Sequence, residues 1–285
     1  MSKPKIRKVG IAGSGTMGSG IAQLVAASGY RVVLIDLNDG LLKKAVSRIE
    51  KNLLRLVEKD KITKKIKQQI VSRIITSTNL EELGDCDLVI EAVSENINIK
   101  KQLFEKLDTI LKKGCIIASN TSTLPIIQLA MITNRPENVV GIHFFNPAPV
   151  MKLVEIIKSL TTSDQTVQKA KEFTLSLGKD PVITKDRPGF IVNRILLPML
   201  NEAVFALEEG MGTAQDIDKA MKLGTNHPMG PLELIDLIGL DVILDILDVL
   251  FEEFKDPKYR ACPLLRQMVR AGYLGRKSGR GFHDY

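Results

Sequence analysis

Apolar residues in the first two-thirds of the chain fall in short runs separated by amphipathic stretches. "KVGIAGS" (8–14) runs into glycines, "TMGSGIAQLVAASG" (16–29) reads as a helix stopped at Gly29, and "RVVLID" (31–36) is again of strand length. Further strand-like runs lie at 74–78, 88–93 ("LVIEAV"), 115–121 ("CIIASNT"), 139–145 ("VVGIHFF"), 152–159 ("KLVEIIKS") and 181–186 ("PVITKD"). Helical patterns at 97–112 and 164–177 are interleaved with them. From 41 to 75 apolar residues recur at Leu42, Ala45, Val46, Ile49, Leu53, Leu56 and Val57, then Ile62, Ile66 and Ile70, which predicts two helices with a turn near 59–63. Strands alternating with helices predict a mostly parallel sheet covered on both faces.

After Asp186 strand signals nearly vanish. "FIVNRILLPMLNEAVFALEEG" reads as a helix ending at Gly210. "TAQDIDKAMKLG" is one capped by Thr213 and Asp216 and ending at Gly224, and "PLELIDLIGLDVILDILDVLFEEF" and "PLLRQMVRAG" are two more. The pattern predicts an α/β domain over 1–186, with the helical hairpin at 40–75 inserted in it, and an all-helical domain over 187–285.

The glycines after the first strand change the picture from fold to ligand. Gly13-Ser14-Gly15-Thr16-Met17-Gly18 fits G-x-G-x-x-G between a strand and a helix. Glycines there permit the tight turn, let the backbone approach a pyrophosphate and let helix and strand pack closely. The helix N-terminus then offers N–H groups to the phosphates. Asp36 ends the next strand, 18 residues after Gly18. It is the acid expected on the adenosine ribose, and its charge favours NAD over NADP. A Rossmann-type NAD-binding domain is the prediction.

Composition adds boundaries. Three cysteines, Cys86, Cys115 and Cys262, without C-x-x-C spacing predict neither a disulfide framework nor a zinc site. No apolar run is long enough for a membrane span, and a strand-like run from Ile6 leaves no room for a leader, so a cytoplasmic protein is expected. The net charge of +7 is local: residues 40–75 carry eleven Lys/Arg against three Asp/Glu. That segment has no aromatic residue for base stacking, so a nucleic-acid partner is not expected.

Two ionisable residues interrupt otherwise apolar runs. If 139–145 and 152–159 are neighbouring strands, His143 and Glu155 can face each other near one end of the sheet. A carboxylate beside an imidazole fixes its tautomer and favours its protonated form, which suits proton exchange with a hydroxyl as hydride leaves the same carbon. Spacing alone leaves open a satisfied core histidine with Glu155 turned to solvent.

The blocks "GSGTMG", "IEAVSENINIKK", "SNTSTLPI", "GIHFFNPAPVMKLVEII", "KDRPGFIVNRIL", "HPMGPLELIDLIGLD" and "GRKSGRGFHDY" together resemble the short-chain 3-hydroxyacyl-CoA dehydrogenases, in order and from about residue 6 to the end. The resemblance implies NAD-dependent oxidation of (S)-3-hydroxyacyl-CoA, of the 3-hydroxybutyryl type, and the reverse reduction of acetoacetyl-CoA. It implies His143 as general base with Glu155 as partner, and Ser122 and Asn193 as residues that hold the substrate oxygens. Around the cofactor it implies Asp36, Glu95, Lys100, Asn120, Asn146 and Lys277, together with the loop Gly13 to Gly18. The basic hairpin then becomes a CoA-binding element, with Lys59 and Asn52 as its contacts, and the helical domain a homodimer face. Related sugar-acid or small hydroxy-acid dehydrogenases acting without CoA are the rival class, and a non-enzymatic NAD-binding or structural protein is a more distant one. Hydroxyisobutyrate-type enzymes use a catalytic lysine, against which "HFFNP" argues.

Overall fold

The computed structural model describes residues 6–285. The chain divides into two compact units, the first ending at Asp186 and the second running from Arg187 to Tyr285.

The first unit is built on one eight-stranded sheet. Its strands are β1 (Lys8–Ala12), β2 (Arg31–Ile35), β3 (Ile74–Ser77), β4 (Leu88–Glu91), β5 (Ile116–Ser119), β6 (Val139–Phe144), β7 (Leu153–Lys158) and β8 (Asp180–Lys185). The order is β3-β2-β1-β4-β5-β6-β7-β8. Every neighbouring pair is parallel except β6 and β7. The order reverses between β1 and β4, the switch point at which open α/β sheets bind their ligands beyond the C-terminal ends of the strands. Strands β4, β5 and β6 are buried along their whole length, as continuous apolar runs in a two-sided sheet must be.

Helices α1 (Thr16–Ala27), α2 (Asp39–Glu58), α3 (Lys64–Ser72), α4 (Ile97–Ile110), α5 (Ile126–Ala130) and α6 (Asp164–Ser176) belong to this unit. The basic hairpin is α2 and α3, each started by a side-chain cap: Asn38 accepts from the Leu41 N–H and Thr63 from the Ile66 N–H. Leu42, Ala45, Ile49 and Leu53 are its buried stripe. Ile66 departs from the expected stripe: only Ile70 of α3 is buried, and Ile66, in the first turn, stays exposed. Cys86 and Cys115 lie in the core, and burial pushes both thiols up to about 12, so neither is a thiolate at neutral pH.

The second unit is helical: α7 (Val192–Glu208), α8 (Ala214–Thr225), α9 (Pro231–Ile238), α10 (Leu240–Phe254) and α11 (Pro263–Arg270). Two sequence expectations need correction here. The apolar stretch from Pro231 to Phe254 is two helices, because Gly239 takes φ +111° and turns the chain before α10 starts. Helix α8 passes through Gly224 to Thr225, and Asn226 after it, with φ 58°, supplies the left-handed cap instead. Buried Asp236 and Asp218 pin the C-terminal segment: Asp236 accepts from the Phe282 and His283 N–H groups, and Asp218 is paired with His283 Nε2 at 2.7 Å. Among the described residues no helix is long and apolar enough to cross a membrane.

Candidate active site

The loop after β1 has the form a bound dinucleotide requires. A Cβ on Gly18 would lie 1.8 Å from the Gly13 carbonyl oxygen, and one on Gly13 would lie 2.5 Å from that of Ala92, so both glycines are demanded by packing. Gly15 is different. Its φ is −61°, which any residue adopts, and a Cβ there would meet nothing within 4 Å. Nothing in the fold explains a glycine at this position, whereas a pyrophosphate lying against the backbone does. Thr16 and Met17 open α1 just beyond it.

Asp36 stands across from this loop. Its Oδ2 accepts from the Ser14 N–H at 2.7 Å and from Ser14 Oγ, and its Oδ1 accepts from the Leu37 N–H. The acid thus braces the phosphate loop as well as presenting negative charge. Beside it opens a cavity of about 320 Å³, walled by Ala12, Gly13, Asp36, Val93, Ile99 and Leu103 among others. Apolar walls with one acid suit an adenosine, the ring against the aliphatic side chains and the ribose hydroxyls toward Asp36. The residues present fit NAD.

At the C-terminal ends of β4 and β5 lies a buried polar cluster. Glu91, the last residue of β4, is fully buried and takes Lys100 Nζ at 2.7 Å, the Val93 N–H at 2.7 Å and Ser119 Oγ at 2.6 Å. Lys100 also pairs with Glu95 at 3.1 Å. Glu95 in turn accepts from Thr121 Oγ1 and from the Ser122 N–H. Burial pushes the Glu95 carboxyl up, but the Lys100 charge and the hydrogen bonds from Thr121, Lys100 and Ser122 outweigh it and hold it below the usual range.

His143 and Glu155 are direct partners in the antiparallel β6–β7 register. Both side chains are on one face of the sheet, as residues opposite each other must be. His143 Nδ1 lies 2.8 Å from Glu155 Oε2. His143 is 4% exposed and Glu155 0%. This removes the alternative in which Glu155 points to solvent. The imidazole is also packed against Phe145, ring centroids 4.5 Å apart. Asn120 Oδ1 accepts from the Phe144 N–H at 2.9 Å and so ties the end of β5 to the residue after His143. Asn146 is exposed in the turn that follows.

The remaining expected residues are distributed as follows. Ser122 follows β5 on the segment held by Glu95. Lys100, expected to touch the cofactor, is 1% exposed and meets carboxylates instead of the open crevice. Asn52 lies on α2 and donates to Gln23 at 3.3 Å, while Lys59 is the exposed C-cap of the same helix. Asn193 is in the first turn of α7, in the second unit. Lys277, expected beside the nicotinamide, is in the second unit too, paired with Asp241 at 2.6 Å. Sequence reasoning passed over Glu91. The signal was present in "LVIEAV", a lone acid in a strand-like run, the same irregularity that marks Glu155 in "KLVEIIKS".

A phosphate loop at the switch point and an acid-paired histidine at the end of β6 define a nicotinamide-dependent dehydrogenase. Comparison with known proteins places the chain in a family: residues 8–187 match the 3-hydroxyacyl-CoA dehydrogenase NAD binding domain and residues 189–285 the 3-hydroxyacyl-CoA dehydrogenase C-terminal domain, so the chain belongs to the 3-hydroxyacyl-CoA dehydrogenases. It is 51% identical to the 3-hydroxybutyryl-CoA dehydrogenase of Bradyrhizobium diazoefficiens, over 98% of this chain and 96% of that one. With the protein of the same name from Clostridioides difficile it shares 51% identity over 98% and 99% of the two chains. The crystal structure of (S)-3-hydroxybutyryl-CoA dehydrogenase PaaH1 from Ralstonia eutropha matches with a TM-score of 0.95 at 49% identity, covering 99% of each chain.

Proposed function

We propose that the chain catalyses the NAD-dependent interconversion of (S)-3-hydroxybutyryl-CoA and acetoacetyl-CoA, with His143 as acid and base. The observation that carries the reading is the buried 2.8 Å contact between His143 Nδ1 and Glu155. A carboxylate on Nδ1 keeps that nitrogen protonated and makes Nε2 the one that exchanges a proton with the 3-oxygen of the substrate. When Nε2 takes the hydroxyl proton the ring becomes a cation, and Glu155 neutralises it where water cannot reach. At the carbon that carries this hydroxyl, bound NAD would supply the hydride acceptor. In the reverse direction the imidazolium returns the proton to the oxygen.

The other residues bind and orient. The amides from Gly15 to Gly18, at the start of α1, hold the pyrophosphate, those of Gly13 and Ser14 being taken by the Ile35 carbonyl and Asp36, and Asp36 holds the adenosine ribose. Ser122 and Asn193 supply hydrogen bonds to the substrate oxygens, where charge develops during the reaction. The placement of Ser122, on a backbone fixed by Glu95, supports its part. Asn120 and Asn146 flank the catalytic histidine and orient the nicotinamide half. Lys277, held by Asp241, is the cofactor contact with least support from its surroundings.

The α2–α3 hairpin supplies positive charge for the phosphates of CoA. Arg73 is engaged by the Ala26 carbonyl, so the CoA contact falls to the exposed cations of the hairpin, Lys59 among them. The names of the relatives support a CoA thioester over a sugar acid. Exposed Ile195, Leu237 and Phe251 support a homodimer formed through the helical unit. Three buried thiols support a reducing, cytoplasmic setting.

Steady-state oxidation of NADH tests the reading. Acetoacetyl-CoA is expected to be reduced efficiently and free acetoacetate at least about 100-fold less well, since binding energy from the remote CoA is then lost. Equal activity on the free acid favours the rival class.

A further inference from the structure

The cluster around Lys100 has a property that positioning alone does not require. It holds two carboxylates and one ammonium, so it carries a net negative charge. Its members differ in access: Lys100 is 1% and Glu91 0% exposed on the side chain, while the Glu95 side chain is 40% exposed. The cation is sealed inside and an anion is the face turned outward. The location is equally specific. Glu91 pairs in register with Ala12, the residue immediately before the phosphate loop, and with Ser119 of β5. The cluster therefore borders the crevice at the switch point, on the side of β1 opposite β2, the strand that Asp36 follows.

Hydride transfer changes the charge of a nicotinamide ring. The oxidised ring is a cation and the reduced ring is neutral. A fixed anion at the crevice interacts favourably with the first and hardly with the second. We propose that Glu91, Lys100 and Glu95 act as one anionic unit that tightens binding of the oxidised dinucleotide relative to the reduced one, with Glu91 as the positioning residue that anchors it. The proposal rests on the reading of this crevice as the NAD site. Glu91 acts by holding Lys100 inside: three of its hydrogen bonds, to Lys100, Val93 and Ser119, tie together α4, the turn after β4 and the end of β5. With Lys100 so held, Glu95 is ionised and, with its side chain 40% exposed, carries the accessible charge of the cluster beyond the C-terminal end of β4. The depressed titration of Glu95 agrees with this.

The test measures the dissociation constants of NAD⁺ by calorimetry and of NADH by fluorescence on the full chain and on Glu91→Gln and Glu95→Gln, with circular dichroism to establish folding. The chain has no tryptophan, so NADH emission is read against a low background. Either substitution removes one negative charge, and the ratio Kd(NADH)/Kd(NAD⁺) is expected to fall about tenfold, the scale of one partly screened unit charge across a protein crevice. A purely structural role weakens both ligands in proportion; an unchanged ratio in a chain that binds both overturns the proposal. If Glu91→Gln does not fold, the ratio in Glu95→Gln alone decides, in the same sense. Failure of the unmodified chain to bind either dinucleotide would overturn the reading of the NAD site itself, and the proposal with it.

Discussion

Replacing Glu155 by glutamine isolates the charge of the acid from its shape. The substitution is nearly isosteric, and Glu155 is fully buried 2.8 Å from His143 Nδ1, so the amide oxygen can still accept from that nitrogen and preserve the tautomer. What is lost is the charge that stabilises the imidazolium. A hydrogen bond to a charged group contributes about 1.5–3 kcal/mol. At 1.36 kcal/mol per decade, loss of that amount from the transition state lowers kcat by about 10- to 150-fold. Binding of NADH, which does not require the imidazolium, is expected to stay within about twofold, about 0.4 kcal/mol. The assay is NADH oxidation with saturating acetoacetyl-CoA, alongside a fluorescence titration of NADH. A kcat within about threefold of the unmodified chain, under 1 kcal/mol on the same scale, would refute the argument that His143 works through this acid.

Further outcomes follow from the same geometry. Gly15→Ala is expected to leave stability within about 0.5 kcal/mol, as at a surface site, because its Cβ meets nothing. It should nevertheless weaken NADH at least about tenfold if a pyrophosphate lies there (about 1.4 kcal/mol), whereas Gly18→Ala, whose Cβ would lie 1.8 Å from the Gly13 oxygen, should destabilise the fold by about 1–3 kcal/mol. Urea unfolding separates the two, and normal NADH affinity in Gly15→Ala would contradict the loop assignment. Glu95 titrates below 4.5 in the folded chain, so its contribution to stability is complete above the unfolded value and is lost as the pH falls through the folded one. The gap in urea midpoint between the unmodified chain and Glu95→Gln should therefore be constant above the ordinary carboxylate range and narrow as the pH falls below it; a gap unchanged by acid would exclude this source. Lys59→Glu should raise the KM for acetoacetyl-CoA about three- to tenfold with kcat unchanged, as reversal of an exposed charge does, and an unchanged KM would remove Lys59 from the CoA site.

The parts of the molecule legible in its sequence are those fixed by short-range rules. A strand, a glycine turn and a helix in succession identified the phosphate loop, because Gly18 answers a steric demand from Gly13 five residues before it, and Gly15 stands where a ligand and not the fold calls for a glycine. The pairing of His143 with Glu155 could be anticipated because a lone charged residue in a buried strand needs a partner, and the antiparallel neighbour was adjacent in sequence. Glu91 obeys the same rule, but its partners come from α4 and β5, nine and 28 residues away, and one of them is a lysine that reads as ordinary helix surface. The break at Gly239 was hidden because apolar periodicity continues across it, and only the backbone conformation distinguishes a helical glycine from a turn. Lys277 was placed by resemblance alone, and nothing local foretold its pairing with Asp241, 36 residues earlier.

The most direct test of the account is the rate of acetoacetyl-CoA-dependent NADH oxidation by His143→Ala, measured together with its affinity for NADH. General acid–base catalysis by a positioned side chain contributes about 10²- to 10⁴-fold, so turnover should fall into that range while NADH binds as before. Turnover within about tenfold of the unmodified chain, less than any such contribution, with NADH binding intact, would mean that another group moves the proton.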